Sequence, residues 1–380
     1  MSGAIVGAAE CDLGSTGRTV LDLQVQAVTR ALADAGLGLH DVDGLATNAL
    51  GRFATTSLAD YLGLRPAWAE SSFVGGSAFE LYLGRAVQAI EAGQAQVIVI
   101  CFASNQRSAR SRSLAGSTES DLPQAQFEAP YAPLYPISYY AMAAQAYLHR
   151  YGATREQLAN VAVVAREWAL RNPAAFRYGA GELRVEDVLD SPLVSTPLST
   201  ADCCLVTDGG GAVVVTSIER ARDLLRPPVR VLGYGESTSH AAMASRDDIL
   251  DTGADRSGAA AFARAGLGPD DVDLALLYDS FTITPLLSLE ALGFCAPGEA
   301  GAFVADGNTG PGGALPTNTN GGGLSYCHPG QYGVLLLVEA VRQLRGECGE
   351  RQVAAAQVAL AHGTGGILSH SATVLLAVDR

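Results

Sequence analysis

Apolar and polar positions divide this chain into stretches with helical spacing and short, continuous apolar runs suited to buried strands. Helices are predicted over Phe79 to Ala92, Ala141 to His149, Arg155 to Leu170 and Val334 to Leu344, and strands at Val97 to Cys101 and Val353 to Ala361. One arrangement occurs twice. The segment Ala33-Asp34-Ala35-Gly36-Leu37-Gly38-Leu39-His40-Asp41-Val42-Asp43 is echoed by Ala263-Arg264-Ala265-Gly266-Leu267-Gly268-Pro269-Asp270-Asp271-Val272-Asp273. In each copy an alanine-rich helix stops at a glycine, a natural C-cap, and an Asp-Val-Asp turn leads into an apolar run. A second pair follows in the same order: Gly75-Gly76-Ser77 before one helix and strand, and Gly321 to Gly330 before another. Two ordered pairs predict a duplicated unit. Helices alternating with strands predict an α/β fold, with ligands held at loops that follow the carboxyl ends of strands.

The halves are expected at residues 1–226 and 227–380, divided at Arg226-Pro227-Pro228, where two prolines interrupt helix. Between about Asn105 and Thr200 the first half carries an insertion without a counterpart, rich in tyrosine and proline (Tyr131, Pro133, Tyr135, Pro136, Tyr139, Tyr140).

Composition narrows the chemistry. With 380 residues, 48% of them hydrophobic, the chain can bury a large core. A net charge of −14 disfavours nucleic acid and anionic membrane surfaces as partners. The longest apolar runs fall well short of the roughly 20 residues of a membrane span, and a cytoplasmic protein is expected. Seven cysteines without C-x-x-C pairs fit reduced thiols, and six histidines never pair at metal-ligand spacing, so no metal is expected. The chain has no lysine: all 25 basic side chains are arginine, which excludes Schiff-base chemistry by this polypeptide.

Candidate chemistry gathers in Asn318 to Gly330, where glycines and asparagines surround Tyr326 and His328, and in Tyr278-Asp279-Ser280-Phe281. Asp279 is read as orienting a strand end, and Asn318 and Asn320 as holding turns. Cys203, Cys204 and Cys327 are read as buried core thiols.

These segments resemble the thiolases, in particular the sterol-carrier-protein type and its relatives. The resemblance rests on Ala146 to Leu158, Pro197 to Cys204 with Thr207 to Gly210, Tyr278 to Phe281 continuing to Gly293, Asn320-Gly321-Gly322, Cys327-His328-Pro329, and Ala361 to Gly366 with Gly365. It implies a thiolase fold: two similar βαβαβαββ halves in αβαβα layers, with the insertion in the first half. It also implies an acyl-coenzyme A substrate, with no covalently bound cofactor, and a homodimer.

The departures redirect the reaction. Where the family carries its nucleophilic cysteine, this chain has Gly76, followed by Ser77, for which the sequence identifies no base. The family's His-Asp-Cys-Phe motif reads Tyr278-Asp279-Ser280-Phe281, so the acid/base thiol is missing too. Such a site can still stabilise a thioester enolate, as in retro-aldol cleavage of a β-hydroxyacyl-CoA. Tyr278 and Tyr326 are expected as acid and base, facing each other, and His328 as donor to the enolate oxygen. Asp279, Ser280, Asn320, Gly76, Ser77, Gly322 and Gly365 are expected in support. Relatives lacking both cysteines resemble bacterial aldolases of steroid side chains, which release a ketosteroid and propionyl-CoA and work with an OB-fold, zinc-ribbon acyl-CoA-binding partner in a heterotetramer. Acyl transfer or Claisen condensation, and a non-catalytic acyl-CoA or lipid carrier, are the alternatives.

Overall fold

The computed structural model describes residues 3–114 and 121–379; residues 115–120 of the insertion lie outside them. The first half runs through β1 (Gly3–Glu10), α1 (Val20–Ala35), β2 (Gly44–Ala46), α2 (Ala54–Leu62), β3 (Trp68–Glu70), α3 (Ala78–Glu91) and β4 (Val97–Ser104). The insertion supplies α4 (Ile137–Tyr151), α5 (Arg155–Ala169), α6 (Val185–Leu189) and the short strands β5 (Leu193–Ser195) and β6 (Leu198–Ser199). β7 (Gly209–Ser217) returns to the sheet and α7 (Ile218–Ala221) follows. The second half comprises β8 (Val229–Thr238), α8 (Ala254–Ala265), β9 (Leu274–Leu277), α9 (Ile283–Ala291), α10 (Ala300–Ala305), α11 (Gly333–Arg345), β10 (Val358–Gly365) and β11 (His370–Val378).

Nine strands lie in the order β3-β2-β4-β7-β1-β8-β11-β10-β9. The half-sheets join where β1 pairs with β8, Ala4 opposite Arg230 and Ile5 opposite Val229. Because side chains alternate along a strand, each half-sheet feeds two cores. In β4, Val97, Val99 and Cys101 share a core with Leu23, Ala27 and Ala31 of α1, whereas Ile98, Ile100 and Phe102 share one with α3 and α11. In β9, Leu274 and Leu276 join that same central core, and Ala275 and Leu277 pack with Ala261 and Phe262 of α8. The helices α3 and α11 therefore lie between two half-sheets, with α1 and α8 outside, which is the expected five-layer α/β arrangement.

The repeated sequence folds twice in the same way. α1 and α8 end at Gly36 (φ 73°) and Gly266 (φ 67°), left-handed positions that glycine adopts without a Cβ penalty. The next turns close alike, with Asp41 accepting from Gly38 N (3.0 Å) and Asp271 from Gly268 N (2.8 Å). Asp43 then accepts from the amides of Gln96 and Val97 at the start of β4, and Asp273 from those of Gln357 and Val358 at the start of β10. That contact explains why β10 begins at Val358, five residues after the predicted start: residues 349–351 form a 3-10 turn and the Asp273 carboxylate sets the first paired residue. Apart from the insertion, the copies differ at the third strand. In the first half β3 pairs in parallel with β2; in the second its counterpart is a single bridge between Ala275 and Thr317.

Glu80, in the first turn of α3, is buried between the backbones of Gly333 and Gly363, and among the described residues neither carboxyl oxygen has a hydrogen-bond partner. Burial pushes its carboxyl up to about 8. A group raised in this way contributes stability that is present in full below its unfolded value near 4.5 and is lost as pH rises towards 8. Glu80→Gln is therefore expected to match the native protein near pH 4.5 and to be the more stable by up to about 5 kcal/mol above pH 8. Urea denaturation across that range measures the gap, and a pH-independent difference would contradict it.

Candidate active site

The site forms at the carboxyl end of β9, where the chain leaves the sheet. Tyr278 extends the pairing by one residue, its amide donating to His362 O (2.9 Å), and its side chain is buried. The phenol oxygen lies 3.0 Å from His328 Nε2. Tyr332 stacks on the imidazole at 6.3 Å and an interplanar angle of 22°, fixing it from behind.

Gly76 makes room for that phenol. It lies in the 3-10 turn Gly75–Ser77 that leads into α3, and a Cβ placed on it would sit 2.2 Å from Tyr278 Cε2 and 2.7 Å from Thr364 O. The tyrosine ring occupies the space through which any side chain at position 76 would project.

His328 is held through its backbone from two directions: its amide donates to Thr207 Oγ1 (2.9 Å), and its carbonyl accepts from Gln106 Nε2 (2.8 Å). The preceding loop is pinned by Asp279, which accepts from the amides of Gly323 (2.6 Å) and Leu324 (3.2 Å). A Cβ at Gly322 would lie 2.0 Å from that carboxylate, so the turn closes only around glycine. Asn320 Oδ1 accepts from Gly322 N (2.9 Å) and Tyr332 Oη (2.8 Å). Asp279, Asn320 and Gly322 thus build the loop and do not line the cavity, the arrangement expected for the first two.

A cavity of about 540 Å³ opens over this pair. Gly76, Tyr278, Ser280, His328 and Gly365 form part of its wall; Phe73, Tyr140, Phe281 and Ile367 supply apolar and aromatic surface. The insertion contributes Leu122, Tyr135 and Pro136. Ser280, at the position of the missing acid/base thiol, bonds Thr284 Oγ1 at 3.3 Å.

Tyr326 is elsewhere. Its hydroxyl donates to Glu10 Oε1 (2.7 Å) at the end of β1, and Glu10 also pairs with Arg342. It lines no part of the cavity and does not face Tyr278. The five-residue turn Gly322–Tyr326 ends on it and Cys327 is extended, so two residues of sequence separate side chains that serve different places. Cys327 is a buried core thiol, as expected, 3.2 Å from Thr207 Oγ1. Cys204, expected in the core, instead lines the cavity. Its amide bonds Ser280 O (2.9 Å), which draws the end of the insertion against the Tyr278 motif.

Two further histidines, unmarked by any local motif, line the cavity: His240 and His370. His370 Nδ1 lies 2.8 Å from Ser77 Oγ, so Ser77 has the imidazole neighbour that the sequence did not disclose. Ser77 is fully buried and outside the cavity lining, which keeps it from acting as a nucleophile.

Burial governs the protonation of these groups. It pushes the Tyr278 phenol well above its ordinary value, with Cys204 and Tyr140 adding to the effect. It drives His328 down to about 3, assisted by Arg112, and His370 down to about 4, assisted by Arg85. Near neutral pH the cavity therefore presents a protonated phenol and neutral imidazoles. Among the described residues no group of three or more histidine, cysteine, aspartate or glutamate side chains is placed to hold a metal ion.

Comparison with known proteins agrees with this architecture. Residues 235–378 match the thiolase C-terminal domain-like family. The chain is 39% identical to a steroid side-chain-cleaving aldolase of Thermomonospora curvata, over 95% of this chain and 94% of that protein. It is 38% identical to the 17-hydroxy-3-oxo-4-pregnene-20-carboxyl-CoA lyase of Mycobacterium tuberculosis, over 95% and 96% of the two chains. The solved structure of an Ltp2-ChsH2(DUF35) aldolase superposes with a TM-score of 0.91 at 35% identity, covering 100% of this chain and 98% of that one. Human mitochondrial 3-ketoacyl-CoA thiolase, 18% identical with a TM-score of 0.72 over 100% and 99% of the two chains, shares the fold. The chain belongs to the thiolase superfamily.

Gly76→Ala is expected to destabilise the protein by about 1–3 kcal/mol, because the new methyl meets the ring and a backbone carbonyl. In a Tyr278→Ala background the same change is expected to cost less, with a coupling of about 1 kcal/mol or more in a urea double-mutant cycle. Additive effects would show that ring and glycine do not share the space.

Proposed function

We propose that the protein is an aldolase that cleaves a β-hydroxyacyl-CoA beside the thioester, with a steroid side-chain thioester as substrate and a ketosteroid and propionyl-CoA as products. The observation that carries this reading is the seat of Tyr278: a neutral phenol fills the space that a nucleophilic side chain at position 76 would need. The names of the two relatives at 38–39% identity support the same reaction class. The apolar and aromatic cavity wall suits a bulky, water-poor acyl group.

In retro-aldol cleavage the hydroxyl loses its proton and becomes a carbonyl, the carbon–carbon electron pair enters the thioester as an enolate, and Cα takes up a proton. Tyr278, protonated because it is buried, is the donor to the enolate and then to Cα. His328 acts through it: the neutral imidazole carries its proton on Nε2 and donates to the phenol oxygen, steadying the charge that develops there. Its Nε2 is thereby engaged, and the phenol is the group that meets the substrate.

Relatives in a complex named Ltp2-ChsH2(DUF35) support a partner protein. We infer an OB-fold acyl-CoA-binding partner of that kind, joined to a homodimer in a heterotetramer. Large exposed apolar side chains at Phe53, Tyr61 and Phe73, on the elements flanking the edge strand β3, support self-association. Among the described residues no helix is long and apolar enough to cross a membrane. A cytoplasmic location completes this reading.

Incubation with a steroid β-hydroxyacyl-CoA, with and without a DUF35 protein, tests the proposal by product mass. A shorter acyl-CoA and a ketone are expected; free coenzyme A or an acylated serine would mean acyl transfer instead. Tyr278→Phe is expected to lower kcat by about 100-fold or more while the acyl-CoA still binds. Tyr326→Phe is expected to keep kcat near the native value and to cost about 1.5–3 kcal/mol of stability, the contribution of a hydrogen bond to a charged acceptor. The opposite pattern would return Tyr326 to the mechanism.

A further inference from the structure

Retro-aldol cleavage needs a base for the substrate hydroxyl as well as the acid that Tyr278 provides. The expected second tyrosine is not in the cavity, since Tyr326 is bonded to Glu10. Tyr278 rests as a protonated phenol and cannot accept, and His328 Nε2 is engaged with it. His240 lines the cavity with both ring nitrogens occupied, Nδ1 by Ser239 Oγ (2.7 Å) and Nε2 by Ile367 O (3.0 Å). His362 is fully buried outside the cavity lining, its Nδ1 on Thr373 Oγ1 (2.8 Å).

His370 remains. It opens β11 opposite Gly365, and both line the cavity. Ser77 Oγ donates to Val74 O (3.4 Å) and lies 2.8 Å from His370 Nδ1. In the tautomer that sends the serine proton to that carbonyl, the imidazole donates from Nδ1 and carries its lone pair on Nε2. Among the described residues the nearest acid to Nε2 is Glu236 at 3.9 Å, beyond hydrogen-bond reach, and Nε2 has no hydrogen-bond partner there. A Cβ on Gly365 would lie 1.7 Å from Val74 O and 2.7 Å from Ser77 Oγ, so glycine there permits the contact. One turn thus serves both groups: Gly76 seats Tyr278, and Ser77 orients His370.

We propose that His370 is the base that takes the substrate hydroxyl proton, and that Ser77 is its positioning residue; this rests on the aldolase reading above. The hydroxyl proton passes to Nε2, the carbon–oxygen double bond forms as the carbon–carbon bond breaks, and Tyr278 protonates Cα. The imidazolium proton then returns through solvent to the tyrosinate, so protons and charge balance.

Two reactions separate the roles. Hydrogen–deuterium exchange at Cα of propionyl-CoA in heavy water passes through the minor tyrosinate form of Tyr278, whose proton is lost to and regained from solvent, and needs no hydroxyl base; mass spectrometry follows it. His370→Asn is expected to lower kcat for cleavage by about 100-fold or more while exchange is retained within about 3-fold, whereas Tyr278→Phe loses both. Ser77→Ala is expected to lower kcat for cleavage by about 5–20-fold at unchanged KM, with exchange retained. Exchange by the His370→Asn and Ser77→Ala variants also reports that their sites are folded, and retained acyl-CoA binding reports it for Tyr278→Phe. Native-like cleavage by His370→Asn, or loss of exchange together with cleavage, overturns the assignment. A native enzyme that exchanges without cleaving overturns the aldolase reading itself, a distinct result.

Discussion

The site depends on the absence of a side chain at Gly76. Without a Cβ there, the ring of Tyr278 lies against the turn before α3 and its oxygen reaches His328. With the ring in place there is no room for a side chain at position 76, and burial keeps the phenol protonated. One volume is thereby allotted to the phenol and denied to any side chain at position 76, because it cannot hold both groups.

The fold supplies the rest by bringing distant positions to one end of the sheet. β9 delivers Tyr278, the hairpin of β10 and β11 delivers Gly365 and His370, and the turn before α3 delivers Gly76 and Ser77. The loop before α11 delivers His328, anchored through Thr207 and Gln106 to segments at either end of the insertion. Desolvation couples this architecture to reactivity: neutral imidazoles and a neutral phenol are the forms that buried titratable groups adopt.

Much of this was legible in the sequence. The Asp-Val-Asp turns foretold the duplication because identical backbone geometry requires the same glycine cap and the same carboxylate contacts in both copies. The vacant cysteine position and Tyr278 could be found because each departs from a motif. Tyr326 misled because proximity along a chain does not fix direction: a five-residue turn sends its hydroxyl to Glu10 while His328 meets Tyr278. His370 and Cys204 carried no local signal. His370 depends on Ser77 across 293 residues, and Cys204 on the backbone of Ser280, contacts that exist only after the sheet has formed.

The reduced third strand of the second copy has a consequence of its own. In the first copy that strand completes the sheet edge, and its register constrains every residue on it. In the second, pairing ends after the bridge from Ala275 to Thr317, and the chain continues directly into Asn318 and the glycine turn that carries His328. The histidine of the site is therefore placed by the Thr207 and Gln106 contacts to its backbone and not by strand register, so its position can be adjusted without shifting any pairing in the sheet.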